Sequence, residues 1–246
     1  MTHPTRYWQS ILAQPQDDSP RLQYANYLDG CGNPLGEFIR LQCALAHGPL
    51  SEPCLFFERR EQELLGRHQA FWTEAMSGRV QWCSFHRGFV EEVSLSDAQF
   101  FRHGAELFRC APIQDVHLRW TGMRLDRLPA LPDLTHTLFL DISSQKIGDS
   151  AVARLVHSPL MPQVHGLNLS SNCLSDDGLD TLHDSPHLAN LRELYLGDNA
   201  ITDDGIRRFV MSPMVEKLDV LDVRYTRISR ESVDVLTHIL GDKLIC

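Results

Sequence analysis

The side chains of this 246-residue chain that chemistry would call on are its histidines, cysteines and paired carboxylates, and spacing decides what they can do. His183 and His187 stand four apart, a separation that sets two imidazoles on one helical face for zinc. Ser185-Pro186 falls between them, and proline stops the helix there. Cysteines 31, 43, 54, 83, 110, 173 and 246 are odd in number and include no C-x-x-C pair, which predicts reduced thiols and a cytoplasmic location. Cys173 reads as a packing residue. Asp176-Asp177 and Asp203-Asp204 are paired carboxylates, but they recur at a fixed period ahead of helical patterns. That marks them as helix-start electrostatics and not as an acid/base pair. Asn168-Leu169-Ser170 matches a glycosylation sequon, yet falls inside a predicted strand of a chain without an export signal. No P-loop, zincin, nucleophile-elbow or EF-hand pattern occurs. The residues predict a non-enzymatic protein with no metal and no cofactor.

Those residues sit on a repeat. Leu167-Asn168-Leu169-Ser170-Ser171-Asn172-Cys173-Leu174 and Leu194-Tyr195-Leu196-Gly197-Asp198-Asn199-Ala200-Ile201 both read L-x-L-x-x-N-x-L/I. Ile142, Leu169, Leu196 and Val223 follow one another at 27-residue intervals, and Leu118 and Leu95 extend the frame backwards at shorter ones, giving six repeats. In a strand the two apolar residues of L-x-L point inward and the residue between points out. The asparagine bends the chain out of the strand. Asn172 and Asn199 fill that slot, Gln145, Thr121 and Thr226 are polar substitutes, and Ala98 cannot do the job. Met123, in the second repeat, is a further flanking apolar position. Ser175 and Thr202 then read as helix N-caps. Val152/Leu155, Leu179/Leu182, Ile206/Phe209 and Val233/Leu236 give each helix an inner stripe, and Ser-Pro follows at 158, 185 and 212. Such a unit cannot bury its own apolar face, so neighbours must stack into an α/β solenoid, with parallel strands on the concave face and helices on the convex face. The repeats resemble the ribonuclease-inhibitor-like class of leucine-rich repeats over residues 89–246.

The positions that this frame leaves outward are free to bind. His117, Arg119, Trp120, Phe139, Asp141, Asn168, Tyr195, Asp198, Asp222, Arg224 and Tyr225 mix aromatic, arginine and aspartate side chains as interface hot spots do. The alternative is that Trp120 and Phe139 lean into the core of irregular early repeats.

Residues 1–48 do not repeat. Asp17, Pro20, Arg21, Tyr24, Ala25 and Leu28 form a D-x-x-P-R-x-x-Y-A-x-x-L block, with Tyr24, Ala25, Tyr27 and Leu28 as its inner face. Gly32-Asn33-Pro34 is followed by Glu37-Phe38-Ile39-Arg40-Leu41-Gln42. Together these blocks resemble the bacterial repeat-companion domain, a helical module found ahead of leucine-rich repeats. Arg87-Gly88-Phe89-Val90-Glu91-Glu92-Val93 resembles the junction by which such proteins enter their repeats. Between them, residues 49–88 are expected to form a linker and N-terminal cap. Glu52 to Met76 reads there as one helix, with Leu55, Phe56, Leu64, Leu65, Phe71 and Trp72 on its apolar side. Glu58, Arg59, Arg60, Glu61 and Glu63 face water in this reading.

With 23 Lys+Arg against 32 Asp+Glu, the net charge of −9 argues against nucleic acid, which demands a basic face. No apolar run approaches the ~20 residues of a membrane span. The expected function is binding of another protein on the concave face. Regulation of a small GTPase is an alternative, because Ran GTPase-activating proteins use similar repeats and Arg119 or Arg224 could lend charge there. A third is oligomerisation through an uncapped last repeat, since Ile245 falls at the opening position of a seventh strand.

Overall fold

The computed structural model describes residues 5–47, 53–120, 125–128, 130, 131 and 138–246. Glu52, Thr121 and Met123 lie outside the described residues. The chain divides into two compact units. One comprises Met1–Ser94, His103–Gln114 and Asp133–His136; the other Leu95–Arg102, Asp115–Pro132 and Thr137–Cys246.

The first unit is built on helices α1 (Thr5–Ala13), α2 (Asp18–Gly30), α3 (Leu35–Ala46) and α4 (Pro53–Trp72). Asp17 caps α2, its side chain accepting the Ser19 N–H at 2.8 Å, and Asn33 accepts the Leu35 N–H at 3.0 Å to open α3. Ile11, Tyr24, Leu28, Phe38, Ile39, Leu64 and Phe89 fill one apolar core. The sequence patterning gave no warning of a hairpin, in which β1 (Trp82–His86) pairs antiparallel with β2 (Phe89–Ser96). Its two-residue turn, Arg87 (φ 49°) and Gly88 (φ 92°), has the left-handed pair that matches strand twist. A Cβ on Gly88 would collide with Ile39, so glycine is required there twice over.

The two N-terminal sequence blocks converge on that turn. Arg21 is fully buried, its Nη2 lying 2.6 Å from Glu91 Oε1 and donating to the Pro15 carbonyl at 2.6 Å. Its Nη1 donates to the Arg87 carbonyl at 3.2 Å, and Arg87 Nη2 donates to Glu91 Oε2 at 2.9 Å. Gln42, on α3, accepts the Gly88 N–H at 2.6 Å. Burial opposes charge on both Arg21 and Glu91, lowering the pKa of the first and raising that of the second.

The face of α4 differs from the expected one. Leu55, Phe56 and Phe71 are exposed, whereas Phe57, Leu64, Leu65 and Trp72 pack into the core. Arg60 and Glu61, expected in water, bridge to α3: Arg60 binds Glu37 at 2.7 and 2.9 Å, and Glu61 accepts from Gln42 at 2.7 Å. The inward stripe therefore carries charge, and apolar residues alone mislocate it. Tyr27 is likewise not interior; it lies tilted against Tyr7 at the edge.

In the second unit, β3 (Asp115–Arg119), β4 (Leu138–Asp141), β5 (Val164–Asn168), β6 (Glu193–Tyr195), β7 (Val220–Asp222) and β8 (Leu244–Ile245) are successive parallel neighbours. Leu140, Leu167, Leu194, Leu221 and Leu244 stand in register. Just beyond the strands, Ile142, Leu169, Leu196 and Val223 donate their N–H groups to the carbonyls of Asn168, Tyr195, Asp222 and Ile245. All four are buried. Helices α6 (Asp149–Leu155), α7 (Asp176–His183), α8 (Asp203–Phe209) and α9 (Arg230–Leu240) follow β4 to β7 and pack in series. They are preceded by α5 (Asp97–Cys110), which starts straight out of β2. Ser96 and Gln99 cap it reciprocally at 2.9 and 3.1 Å, so a capping box stands where the asparagine slot falls on Ala98.

Two polar ladders fasten the rungs. In the first, Asn199 donates to the Leu169 carbonyl at 3.0 Å and accepts the Asn172 and Leu174 N–H groups, each at 3.0 Å. Asn172 does the same one rung earlier, for the Ile142 carbonyl and the Gln145 N–H. Gln145 does it for the Leu118 carbonyl and the Trp120 N–H. Thr226 reaches only its own turn, at the Val223 carbonyl. In the second ladder, Asp149 accepts from Ser175, Asp176 from Thr202 and Asp203 from Ser229, each through the cap residue of the next helix. Gly178 and Gly205 follow, since a Cβ there would overlap the Asp149 or Asp176 carboxylate. At the same position in α9, Ser232 instead donates to Asp203 at 2.6 Å.

The last rung arrives early. Ile245, expected to open a strand, pairs with Asp222, and Leu244 with Leu221, because α9 runs through a short 3-10 turn directly into β8. The edge of β7 is therefore covered.

Asn199→Ala removes the acceptor of two buried N–H groups and the donor to three carbonyls, those of Leu169, Leu196 and Gly197. It is expected to cost about 3–5 kcal/mol by equilibrium urea unfolding. A loss below about 1 kcal/mol would show that the ladder is dispensable.

Candidate functional site

Four rows of side chains cross the strands of the second unit on the side away from its core. The first is Asp115, Phe139, Gly166, Glu193 and Val220; the second His117, Asp141, Asn168, Tyr195 and Asp222. Continuing the same register, the third is Arg119, Ser143, Ser170, Gly197 and Arg224, and the fourth Trp120, Ser144, Ser171, Asp198 and Tyr225.

The strand–turn junction dictates what each row can do. In the second row, Asp141, Asn168 and Asp222 each accept the N–H two residues on, from Ser143, Ser170 and Arg224, at 2.7–3.0 Å. Such bonds shape a turn. Asp222 is only 4% exposed and grips Arg224, whose Nη2 donates at 2.6 Å. Expected as a contact residue, Asp222 is an internal brace, since the turn's own N–H and a guanidinium occupy its oxygens. It raises the pKa of Arg224 through those hydrogen bonds. Asp141 lies 3.3 Å from His117 Nδ1 and accepts from Asn168 at 3.3 Å. Burial pushes its pKa up, but the bonds from His117 and Ser143 win and lower it. Asp141 and Asn168 are half-buried, so they too serve the turn more than the surface.

Phe139 and Tyr195 meet edge to face, centroids 5.8 Å apart. The Phe139 ring lies over Gly166, where a Cβ would strike it. Phe139 thus lies across the sheet and does not enter the core. Tyr195 donates to Glu193 at 3.1 Å, and burial followed by that carboxylate pushes its pKa up to about 12.

From Ser144 onward the fourth row is held left-handed, with φ of 59° at Ser144, 57° at Ser171, 53° at Asp198 and 59° at Tyr225. Aspartate bears this at the least cost among them. For a bulky aromatic the cost is greater, yet Tyr225 occupies the position and is 85% exposed. Asp198 is exposed and accepts from Ser171 at 2.8 Å. Arg119 is exposed with no ion-pair partner among the described residues. His117, Arg119, Trp120, Asp141, Ser143, Ser144 and Gln145 line an open, polar hollow of about 400 Å³. The small residues between the ends, Ser143, Ser170 and Gly197, take outward positions of the repeat frame and are not among the expected contacts. The Arg-aromatic pairs at 119–120 and 224–225, and their equivalent placement in the repeat frame, are both legible in the sequence. Cys173, expected to pack, is exposed at φ 58°. His183 ends α7 and His187 lies on a separate 3-10 turn, so no single helix carries both. Among the described residues no three His, Cys, Asp or Glu side chains converge.

A leucine-rich repeat family model matches residues 165–182 and 187–210, spanning β5 to α7 and β6 to α8. The chain carries leucine-rich repeats. Comparison with curated proteins finds no match. Domains of these repeats generally mediate protein–protein interaction and are typically not enzymes. Among the described residues no helix is long and apolar enough to cross a membrane.

The second polar ladder makes stability pH-dependent. Hydrogen bonds from Thr202 outweigh burial to lower the Asp176 pKa, and Ser232 and Ser229 lower that of Asp203. Between the unfolded value of about 3.9 and these lower folded values, the unfolded chain binds more protons. The ladder's contribution is therefore complete above about pH 4–5 and lost as pH falls through the folded values. Urea midpoints measured across this range should fall with acid, and Asp176→Asn with Asp203→Asn should flatten the fall. An unaltered slope in the double variant would contradict the assignment.

Proposed function

We propose that residues 89–246 form a solenoid of the ribonuclease-inhibitor-like class, whose concave strand face docks another protein without catalysing a reaction. Residues 1–48 act in this reading as a repeat-companion module, and residues 49–88 as the linker and cap between the two. The convergence of Arg21, Gln42 and Glu91 on the Arg87-Gly88 turn supports a module built around entry into the repeats.

One observation carries the docking assignment. Arg119-Trp120 and Arg224-Tyr225 occupy the same turn positions four rungs apart, with serine, glycine and aspartate between them. At ~4.8 Å per rung the pairs stand about 19 Å apart, bracketing a shallow trough. Arginine and aromatic side chains are what interface centres concentrate. Tyr225 adds an energetic argument. A left-handed non-glycine residue costs roughly 1–2 kcal/mol, and an 85% exposed ring recovers little of it within the chain. A strained, solvated aromatic is explained when a partner buries it. Phe139 and Tyr195 lie on the same face; Asp141, Asn168 and Asp222 support it from beneath.

The test uses Arg119→Ala with Tyr225→Asn, leaving Asp222 in place because its loss would free the turn. Capture of a partner from extract of the native host, identified by mass spectrometry, should fall at least about tenfold. The thermal midpoint should stay level or rise by about 2–4 °C as the strain is relieved. Undiminished capture by the stable double variant would refute the docking face.

A further inference from the structure

The first compact unit contains a cavity of about 250 Å³ lined wholly by its own residues. Rings form most of its wall: Trp8 of α1, Phe71 and Trp72 of α4, Phe85 of β1 and Phe89 of β2. Contacts among the rings fix them in place. Trp8 and Phe89 meet edge to face with centroids 5.5 Å apart, as do Trp72 and Phe85 at 6.2 Å. Phe38 backs the second pair, 4.7 Å from Trp72 and 5.3 Å from Phe85. Trp8 is pinned further, because its Nε1 donates to the Arg109 carbonyl at 3.0 Å. Phe71 is 58% exposed and carries the aromatic wall out to solvent. The hollow is thus preformed and can be entered.

We infer that this cavity binds an uncharged, flat molecule of two fused aromatic rings. Size comes first. An apolar cavity of roughly 150 Å³ takes up benzene, and the same filling scales six ring atoms to about ten in 250 Å³, a fused bicycle. Shape comes second. The wall presents ring faces and ring edges, and a flat guest continues that edge-to-face set where a puckered one of equal size does not. Charge comes last, and it acts by exclusion. No aspartate or glutamate lines the cavity. Arg109, its one ionised lining residue, is exposed, and its Nε donates to the Ala105 carbonyl of its own helix at 3.1 Å. An ion entering between the rings would therefore shed its hydration with no counter-charge set to replace it, whereas a neutral ring loses nothing. This site lies apart from the docking face of the repeats and does not depend on that reading.

The full-length chain is titrated with 2-naphthol, whose hydroxyl is neutral at pH 7, and with phenol, decahydro-2-naphthol, 2-naphthoate and 2-naphthylmethylamine. Affinity is read by calorimetry, and the place of binding by the indole N–H signals of the four tryptophans in a ¹H–¹⁵N spectrum. Trp8 and Trp72 line the cavity; Trp82→Phe and Trp120→Phe assign the other two signals. Binding of 2-naphthol should be saturable and at least about tenfold tighter than that of phenol, which buries one ring fewer. It should exceed the puckered decahydro analogue by about threefold or more, and both ions by at least about tenfold. The Trp8 and Trp72 signals should shift along the same isotherm while those of Trp82 and Trp120 stay in place. Ala75→Phe, which adds a ring to the cavity wall, should weaken 2-naphthol at least about tenfold. If that variant does not fold, the indole shifts decide alone. Absence of saturable binding, shifts centred on Trp82 or Trp120, or unchanged affinity in a folded Ala75→Phe variant would each overturn the proposal. So would phenol, the decahydro analogue or either ion binding as tightly as 2-naphthol.

Discussion

A backbone that turns sharply at the end of every strand must hide polar groups where water cannot follow. The second unit meets that constraint with a buried carboxamide at the turns after β5 and β6, and with the half-buried Gln145 after β4. Asn172 and Asn199 each serve a carbonyl and two N–H groups of the preceding rung. Asn199 also donates to the Leu196 and Gly197 carbonyls of its own turn, so the turn, the strand register and the inward leucine rows are coupled across rungs. The aspartate ladder at the helix starts repeats the principle on the other side of the strand layer, and dictates where glycine must stand.

That rigidity is what gives the outward rows their character. With the turn fixed, Ser144, Ser171, Asp198 and Tyr225 of the fourth row are all left-handed, and their side chains project from a common backbone frame. Aspartate is the cheapest of these occupants. Tyrosine at 225 is the costly one, and the cost falls where the Arg-aromatic pattern returns. The same logic separates positions that look alike in the sequence. Asp222 and Tyr195 are equivalent by register, yet Asp222 is consumed by the turn and Arg224, whereas Tyr195 leans on Phe139 and Glu193.

Much of this was legible in the order of residues. The 27-residue interval fixed the inward rows, the asparagine slots and the helix starts, because each follows from local chemistry repeated. Gln145 was identifiable as a substitute for asparagine, since either amide can reach backward. The rest depends on partners distant in sequence. Arg21 reads as a surface arginine until Glu91 and the Arg87 carbonyl are brought to it. The β1–β2 hairpin hid because Arg87-Gly88 lacks the Asn-Gly signature, although Gly88 supplies the same backbone freedom. The face of α4 was misjudged because its inward stripe includes Glu61 and borders Arg60, whose partners on α3 no hydrophobic pattern reveals. The early last rung was hidden too, for the 27-residue period sets Ile245 opposite Leu218, four positions from Asp222, its actual partner.

Native-state hydrogen exchange tests most directly whether buried carboxamides govern this architecture. The amide protons of Gln145, Asn172 and Leu174 point at side chains and not at backbone carbonyls. If the ladder holds the repeats as one cooperative body, these protons exchange only through global unfolding, with the same denaturant dependence as Leu169 and Leu196. Faster exchange of those three, through local opening while the strand amides stay protected, would contradict the account.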